Sequence, residues 1–462
     1  MTTRTRTIAV LAAALLGLVS ACGGGQSAAP ADNAIKVWTL ENLPDRLEAQ
    51  KVLAQRFTQA TGITVDLVGV DEDQFQQLIR SSSASDALPD VVGAVPLAAV
   101  RSLAADQLLD TDATGKIVTD LQPGTFSPRA LELTRDGDAQ LAVPSDGWAQ
   151  LLLYRKDLLT AAGLPIPRNY ADFAAAAKAL NKDGVAGFVG ATAAGDAFTQ
   201  QTFEHVALAN NCELVDAAGT VTLDSPQCQA SFAFYDDLVR TASVPGAQDA
   251  DTTRATYFAG KAATMIWSSF ILDELAGLRA DAAPSCPECA ADPRFLVDNT
   301  GVVTALSGPD STEPAQFGEI VSWTVVAGAA ADPATRFVEF MMNDGYPDWL
   351  GFAPEGKIPA RTGTPQEPEK FSTLWRTLPA GVDTKKPLAE FYPPDVLDGL
   401  AGSLDTFRRW GFTQGQGQLV GATLGELPVP QAVAAMTSGE VDAAQAAKQA
   451  DDAVTELQKS LR

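Results

Sequence analysis

The first residues able to do chemistry are Val19-Ser20-Ala21-Cys22, small side chains and a thiol that close a short apolar run. Arg4 and Arg6 give the run a positive leader, and residues 8–19 are too few for the roughly 20 that a membrane-spanning helix needs. Residues 1–21 therefore read as a cleaved export signal. The four residues resemble a bacterial lipobox, in which the thiol, here Cys22, is diacylated, cleavage follows the residue before it, and the new terminus usually gains a third chain. Two or more acyl chains anchor a protein stably. The alternative is an ordinary secretory signal with a chance cysteine; on either reading the mature chain leaves the cytoplasm.

The remaining cysteines, Cys212, Cys228, Cys286 and Cys289, are an even number in a compartment that permits disulfides. Three pairings are possible. The local one, Cys212 with Cys228 and Cys286 with Cys289, is preferred because each pair brackets one turn-rich segment. Cys286 to Cys289 also has the spacing of a redox dithiol or half a zinc site, but no second such pair exists and His205 is the single histidine, so no metal is expected. Residues 351–357 match G-x-x-x-x-G-K, yet Ile358 stands where Ser or Thr must hold magnesium and Pro359 blocks the helix that a phosphate site requires. Gly415, Gly417 and Gly421 have the wrong spacing for a dinucleotide site, G-x-S-x-G is absent, and His205 reads as a packed or surface residue of a helical run. No cofactor is expected. A glycoside hydrolase needs only two carboxylates, which 57 acidic residues supply trivially, so it stays as the alternative class.

The net charge is −24, and −26 once Arg4 and Arg6 leave with the signal. Phosphate backbones demand clustered Lys and Arg, which are missing, so nucleic acid is excluded as a partner. The acidic balance keeps an exported chain soluble. No later apolar run reaches membrane-spanning length, so the membrane is met through the lipid alone.

The elements that must position a site follow from periodicity. Residues 22–33 are rich in Gly, Ala, Ser and Pro and read as a flexible tether. Residues 35–40 alternate like a strand, 45–61 read as a helix stopped by Gly62, and 63–68 alternate again, a βαβ opening. Residues 71–83 continue as a helix, and 88–92 form a short strand with Asp90 at its entrance. Further helices are expected at 170–180, 198–209, 230–242, 271–278 and 333–342, a strand at 263–267, and two helices within 429–461 parted by Ser438-Gly439. The segments at 141–154 and 321–326 read as crossings between lobes. The chain exceeds what one hydrophobic core holds, and two lobes are expected: 34–143 and 325–356 in lobe 1, 144–324 and 357–462 in lobe 2.

Six segments in order resemble the family 1 extracellular solute-binding proteins, the maltose-binding type that serves ABC importers. They are residues 57–65, the "PDV" strand at 88–92, the crossing Pro144-Ser145-Asp146 with the "YNKDL…AGL" element at 154–164, the "F-x-x-G-K-A-A-M" element at 257–265, the "G-x-x-P-A-R" element at 356–361 and the C-terminal turn at 436–440. Arg155 replaces the usual Asn, Tyr257 the usual Phe, and one Thr is inserted before Met265. The resemblance implies an α/β, two-lobed periplasmic-binding-protein-like fold with multiple hinge crossings, closing over a solute.

A sugar's C–H face stacks on aromatic rings and its hydroxyls need paired donors and acceptors. On that basis Trp148, Trp267 and Trp323, each beside a crossing or a strand end, are the stacking candidates, and Glu41, Asn42, Asp90, Asp146 and Arg361 the polar ones. Arg361 has a second reading as a hinge salt bridge, while Trp349, Trp375 and Trp410 read as packing. The resemblance implies a carbohydrate ligand, permease transmembrane subunits with a cytoplasmic ATPase as partners, a monomer, and a lipid anchor on the outer face of the cell membrane. A glycerol phosphodiester or another non-sugar solute remains open as ligand.

Overall fold

A computed structural model describes residues 33–311 and 313–461. The signal, Cys22 and the tether through Asp32 lie outside the described residues. The chain opens with strand β1 (Ala34–Thr39) and helix α1 (Pro44–Thr61). Proline in the first turn of α1 loses no hydrogen bond, Asp45 there complements the helix dipole, and Gly62 ends the helix at φ 74° with its N–H on the Thr58 carbonyl. Strand β2 (Thr64–Gly69) and, after α2 (Glu72–Ser83), strand β3 (Val91–Pro96) lie parallel to β1 on either side of it.

Two long strands extend this sheet. Gln316–Val325 pairs antiparallel with β3, and Val143–Arg155 pairs antiparallel with Gln316–Val325. The register of the latter pair shifts between Pro144 and Asp146, where Pro144 has no N–H for the ladder; such irregularities re-aim side chains. The far half of Val143–Arg155 pairs with Thr264–Ser268 and Thr300–Val303, so one curled nine-stranded sheet runs through the described residues.

Both long strands run from one hydrophobic core to another. The first core gathers Val37, Phe57, Val143, Trp323, Phe337 and Trp349. The second gathers Leu151, Phe173, Phe203, Tyr235, Met265, Phe317 and Val433. A smaller cluster around Trp38, Phe75 and Ile79 sits under α2. The expected helices appear as Tyr170–Leu180, Ala197–Ala209, Pro226–Ala242, Ile271–Leu275 and Ala331–Met341, and the C-terminal pair as Pro428–Thr437 and Ala443–Ser460. Others were not signalled by the sequence, among them Leu97–Ala105, Thr111–Asp120 and Gly417–Glu426, whose alanine, threonine and glycine content hides the apolar period. The cysteines take the local pairing, Cys212–Cys228 and Cys286–Cys289. His205 is a packed residue whose Nδ1 accepts the Phe317 N–H at 3.3 Å. No helix among the described residues is long and apolar enough to cross a membrane.

Candidate functional site

The C-terminal ends of parallel strands are where open α/β sheets bind ligands, and Glu41 lies two residues past β1 at that end. Its carboxylate accepts from Arg46, in the first turn of α1, at 2.8 Å and from Lys357 at 2.5 Å. Lys357 immediately precedes Ile358–Pro359, a two-residue strand paired with Gly147 and Asp146 of the first crossing. That pairing brings Lys357 Nζ within 3.5 Å of Asp146 Oδ1. Asp146 Oδ2 accepts from Trp349 Nε1 and from Ser145 Oγ, each at 2.6 Å, and Lys357 Nζ lies 4.2 Å from the centre of a Trp349 ring.

A buried charge survives only when paired and hydrogen-bonded, and this ammonium, its side chain 2% exposed, has two carboxylates and an aromatic face. Burial pushes the Glu41 carboxyl up, but Lys357 and Arg46 overcome it and hold the group at about 2. At Asp146 burial prevails over Lys357 and the carboxyl stays above the ordinary carboxylate range.

The site continues across to the second core through the turn Pro354–Gly356, just before Lys357. The Phe270 ring lies so close over Gly356 that a Cβ there would stand 2.0 Å from it. Phe270 also tilts against Trp148 at 6.3 Å, and Trp148, half-buried, packs on Phe317 at 5.7 Å. Helix Ile271–Leu275 follows Phe270 and carries Asp273 and Glu274. Glu274 accepts from Arg254 at 3.0 and 3.2 Å, and the Arg254 guanidinium stands 5.9 Å from a Trp267 ring. Burial and then Glu274 push Asp273 up to about 7; burial and then Asp273 push Glu355 up to about 8. The seam thus offers aromatic faces for C–H groups and charged groups for hydroxyls.

Among the residues expected from sequence, Glu41 and Asp146 are joined through Lys357, Trp148 lies on the same strand two residues on, and Trp267 borders the seam beyond Arg254. Asn42 is half-buried beside Glu41.

Three expectations are corrected. Asp90 lies at the opposite end of the parallel strands, accepting from Lys36 N–H at 2.8 Å and Ala330 N–H at 3.0 Å, and staples β1 to the start of helix Ala331–Met341. Trp323 is 1% exposed and belongs to the first core, 4.9 Å from Trp349 and against Gly93, because its strand is covered on both faces. Arg361, 2% exposed, donates to the carbonyls of Met342 and Leu121, to Asn343 Oδ1 and to Thr125 Oγ1, so its donors are spent inside the fold, and it makes no ion pair among the described residues. Burial lowers its guanidinium to about 10. Sequence reasoning missed Lys357, Trp349, Phe270, Asp273 and Glu355. Lys357 lies within the 356–361 segment it had singled out; for the two acids no signal separates them from the other carboxylates.

The sequence model of the bacterial extracellular solute-binding protein family matches residues 42–346. The putative ABC transporter periplasmic-binding protein YcjN of Escherichia coli (strain K12) is 29% identical over 320 residues, 67% of this chain and 68% of that protein. Among solved structures, maltose-bound MalE3 of T. maritima superposes with a TM-score of 0.67 at 18% identity, covering 92% of this chain and 99% of that one. The cyclic alpha-maltosyl-1,6-maltose binding protein from Arthrobacter globiformis gives 0.68 at 18%, with the same coverage. The GacH receptor of Streptomyces glaucescens gives 0.66 at 20%, covering 92% and 98%. At such identities the likeness speaks for the two-lobed fold. The family match is a separate finding: it runs from Asn42 to Tyr346 and takes in both long strands that join the cores, and the chain belongs to the bacterial extracellular solute-binding protein family.

Proposed function

We propose that the protein is the lipid-anchored solute-binding component of an ABC importer, capturing a sugar or small oligosaccharide between its lobes and handing it unaltered to permease subunits driven by a cytoplasmic ATPase. The observation that carries this reading is the Glu41–Lys357–Asp146 linkage, which sets charged groups of the first core beside Trp148 and Phe270. The family membership supports it, and so do the maltose bound to MalE3 and the cyclic alpha-maltosyl-1,6-maltose of the A. globiformis binding protein. Lobe 1 comprises residues 34–143 and 325–356 and lobe 2 residues 144–324 and 357–462, a division supported by core membership apart from Trp323 and Phe371, which join the first core, and Leu97, Ala130 and Leu133, which join the second. Ligand touching both lobes favours the closed arrangement by its differential affinity.

The deciding experiment is a thermal-shift screen of residues 34–462 against mono- and oligosaccharides and glycerol phosphodiesters, with product analysis of each hit. A ligand at ~100 times its dissociation constant adds about 2.7 kcal/mol. Stabilisation by an intact saccharide is expected; release of a cleaved product would replace the reading with a glycoside hydrolase, and a phosphodiester hit with a non-sugar importer. For the anchor, we expect Cys22→Ala to move the protein from the detergent phase to the aqueous phase on partitioning; a variant that stays with detergent refutes acylation at Cys22.

A further inference from the structure

The cations of the seam are already engaged. Arg46 donates to Glu41, Lys357 to Glu41 and Asp146, and Arg254 to Glu274 and Asp251. Arg279 donates to Asp281 at 3.2 and 3.3 Å. Asp273 and Glu355 receive none of these donors. Among the described residues Asp273 Oδ1 and Glu355 Oε2 have no hydrogen-bond partner, although the residues are only 2% and 3% exposed, and Arg46 and Arg279 act on the two acids through space without outweighing their burial. They come from the two sides of the seam: Asp273 from the helix after Phe270, Glu355 from the turn before Lys357, and that helix and turn pack on each other.

Burying an ionised carboxylate without a partner costs several kcal/mol, so this pair calls for positive charge from a proton or from a ligand. A metal ion does not suit it, because among the described residues no three His, Cys, Asp or Glu side chains group as metal ligands do. An ammonium group does, since it brings three N–H donors to two orphan acceptors and makes charge-assisted bonds to both. We propose that Asp273 and Glu355 form a subsite for a cationic amine, so that the solute captured is an amine-bearing sugar or polyol. This rests on the reading of the seam as the solute site. The proton that burial, with Glu274 beside Asp273 and Asp273 beside Glu355, holds on the pair is displaced to the buffer when the ammonium arrives.

The test is isothermal titration of the mature chain at neutral pH with two near-isosteric pairs, glucosamine against glucose and 1-amino-1-deoxysorbitol against sorbitol, in two buffers of different ionisation enthalpy. Each amine is expected to bind about tenfold or more tighter than its hydroxyl counterpart, with a buffer-dependent heat reporting proton release. The double variant Asp273→Asn, Glu355→Gln is expected to bring the ratio to about one; being a ratio, it is read even where both affinities fall, and a near-native circular dichroism spectrum verifies the fold. Neutral members binding as well as the amines, or a chain that responds to neutral saccharides alone, overturns the amine subsite and leaves solute capture standing. Silence to both pairs and to the whole saccharide screen overturns both.

Discussion

Lys357 is the residue on which the seam turns, because removing it leaves the buried Asp146 without a cation and Glu41 with Arg46 alone. Breaking a buried pair from one side costs about 3–5 kcal/mol, and Lys357→Met is expected to lower the denaturant midpoint by that equivalent. The same pairing sets an acid limit. A carboxyl held at about 2 contributes stability that is complete above the ordinary glutamate pKa of ~4.3 and is lost as pH falls toward 2. In the Met variant the acid loss should begin at higher pH, as a melting-temperature series would show. Asp273 and Glu355 carry the opposite sign: with folded values of about 7 and about 8, the native state holds protons the unfolded chain releases, so stability falls as pH rises from 5 to 8. Glu355→Gln should flatten that slope, and an unchanged slope would place the titration elsewhere. Sequence reached Glu41 and Asp146 because strand ends and crossings are visible in alternation. Lys357 surfaced only inside the failed phosphate motif and the 356–361 element, with no role of its own, since what gives it one is the pairing of Ile358–Pro359 with a strand that lies 211 residues earlier at Asp146.

Trp323 shows how an element decides what a residue does. A tryptophan at a crossing looked exposed to a cleft, but the strand Gln316–Val325 lies between β3 and Val143–Arg155, and Gly93 of β3 leaves the room its ring fills. A Cβ at Gly93 would stand 2.2 Å from that ring, so Gly93→Ala is expected to cost about 1–3 kcal/mol by overpacking and to shift tryptophan fluorescence, whereas wild-type stability would mean the ring has another place to go. The disulfides act on elements too. Cys212–Cys228 ties the end of Ala197–Ala209 to Pro226–Ala242 across 16 residues, and closing a loop of that length is worth about 3 kcal/mol against about 1.6 kcal/mol for the three-residue Cys286–Cys289 loop. Paired serine substitutions should reproduce that ranking in chemical denaturation. Helix boundaries with a chemical signal, such as Gly62 or the break at Ser438-Gly439, were legible; Leu97–Ala105, opened by Pro96 without a side-chain cap, was not.

At the scale of the molecule, two cores share more than backbone. Glu319, midway along the second crossing, accepts the Leu97 N–H at 2.9 Å from the start of the helix that follows β3 and Arg409 on the other side, while Arg409 also reaches Glu204 at 3.2 Å and stacks over Phe317. Sequence could not foresee this cluster, since Glu204 and Arg409 are 205 residues apart and nothing local marks either; the lobe count, by contrast, followed from length and the repeated crossings. Arg409 is fully buried between two carboxylates, and burial pushes Glu204 up to about 7 even with the guanidinium there. Arg409→Met therefore strands two acids and is expected to cost about 3–5 kcal/mol. Because the cluster ties the helix after β3 to the second crossing and to the segment around Arg409, calorimetry should show one transition moved to lower temperature. Two separated transitions in the variant would mean that Arg409 couples the cores, and an unmoved single transition would mean that the paired long strands alone hold them together.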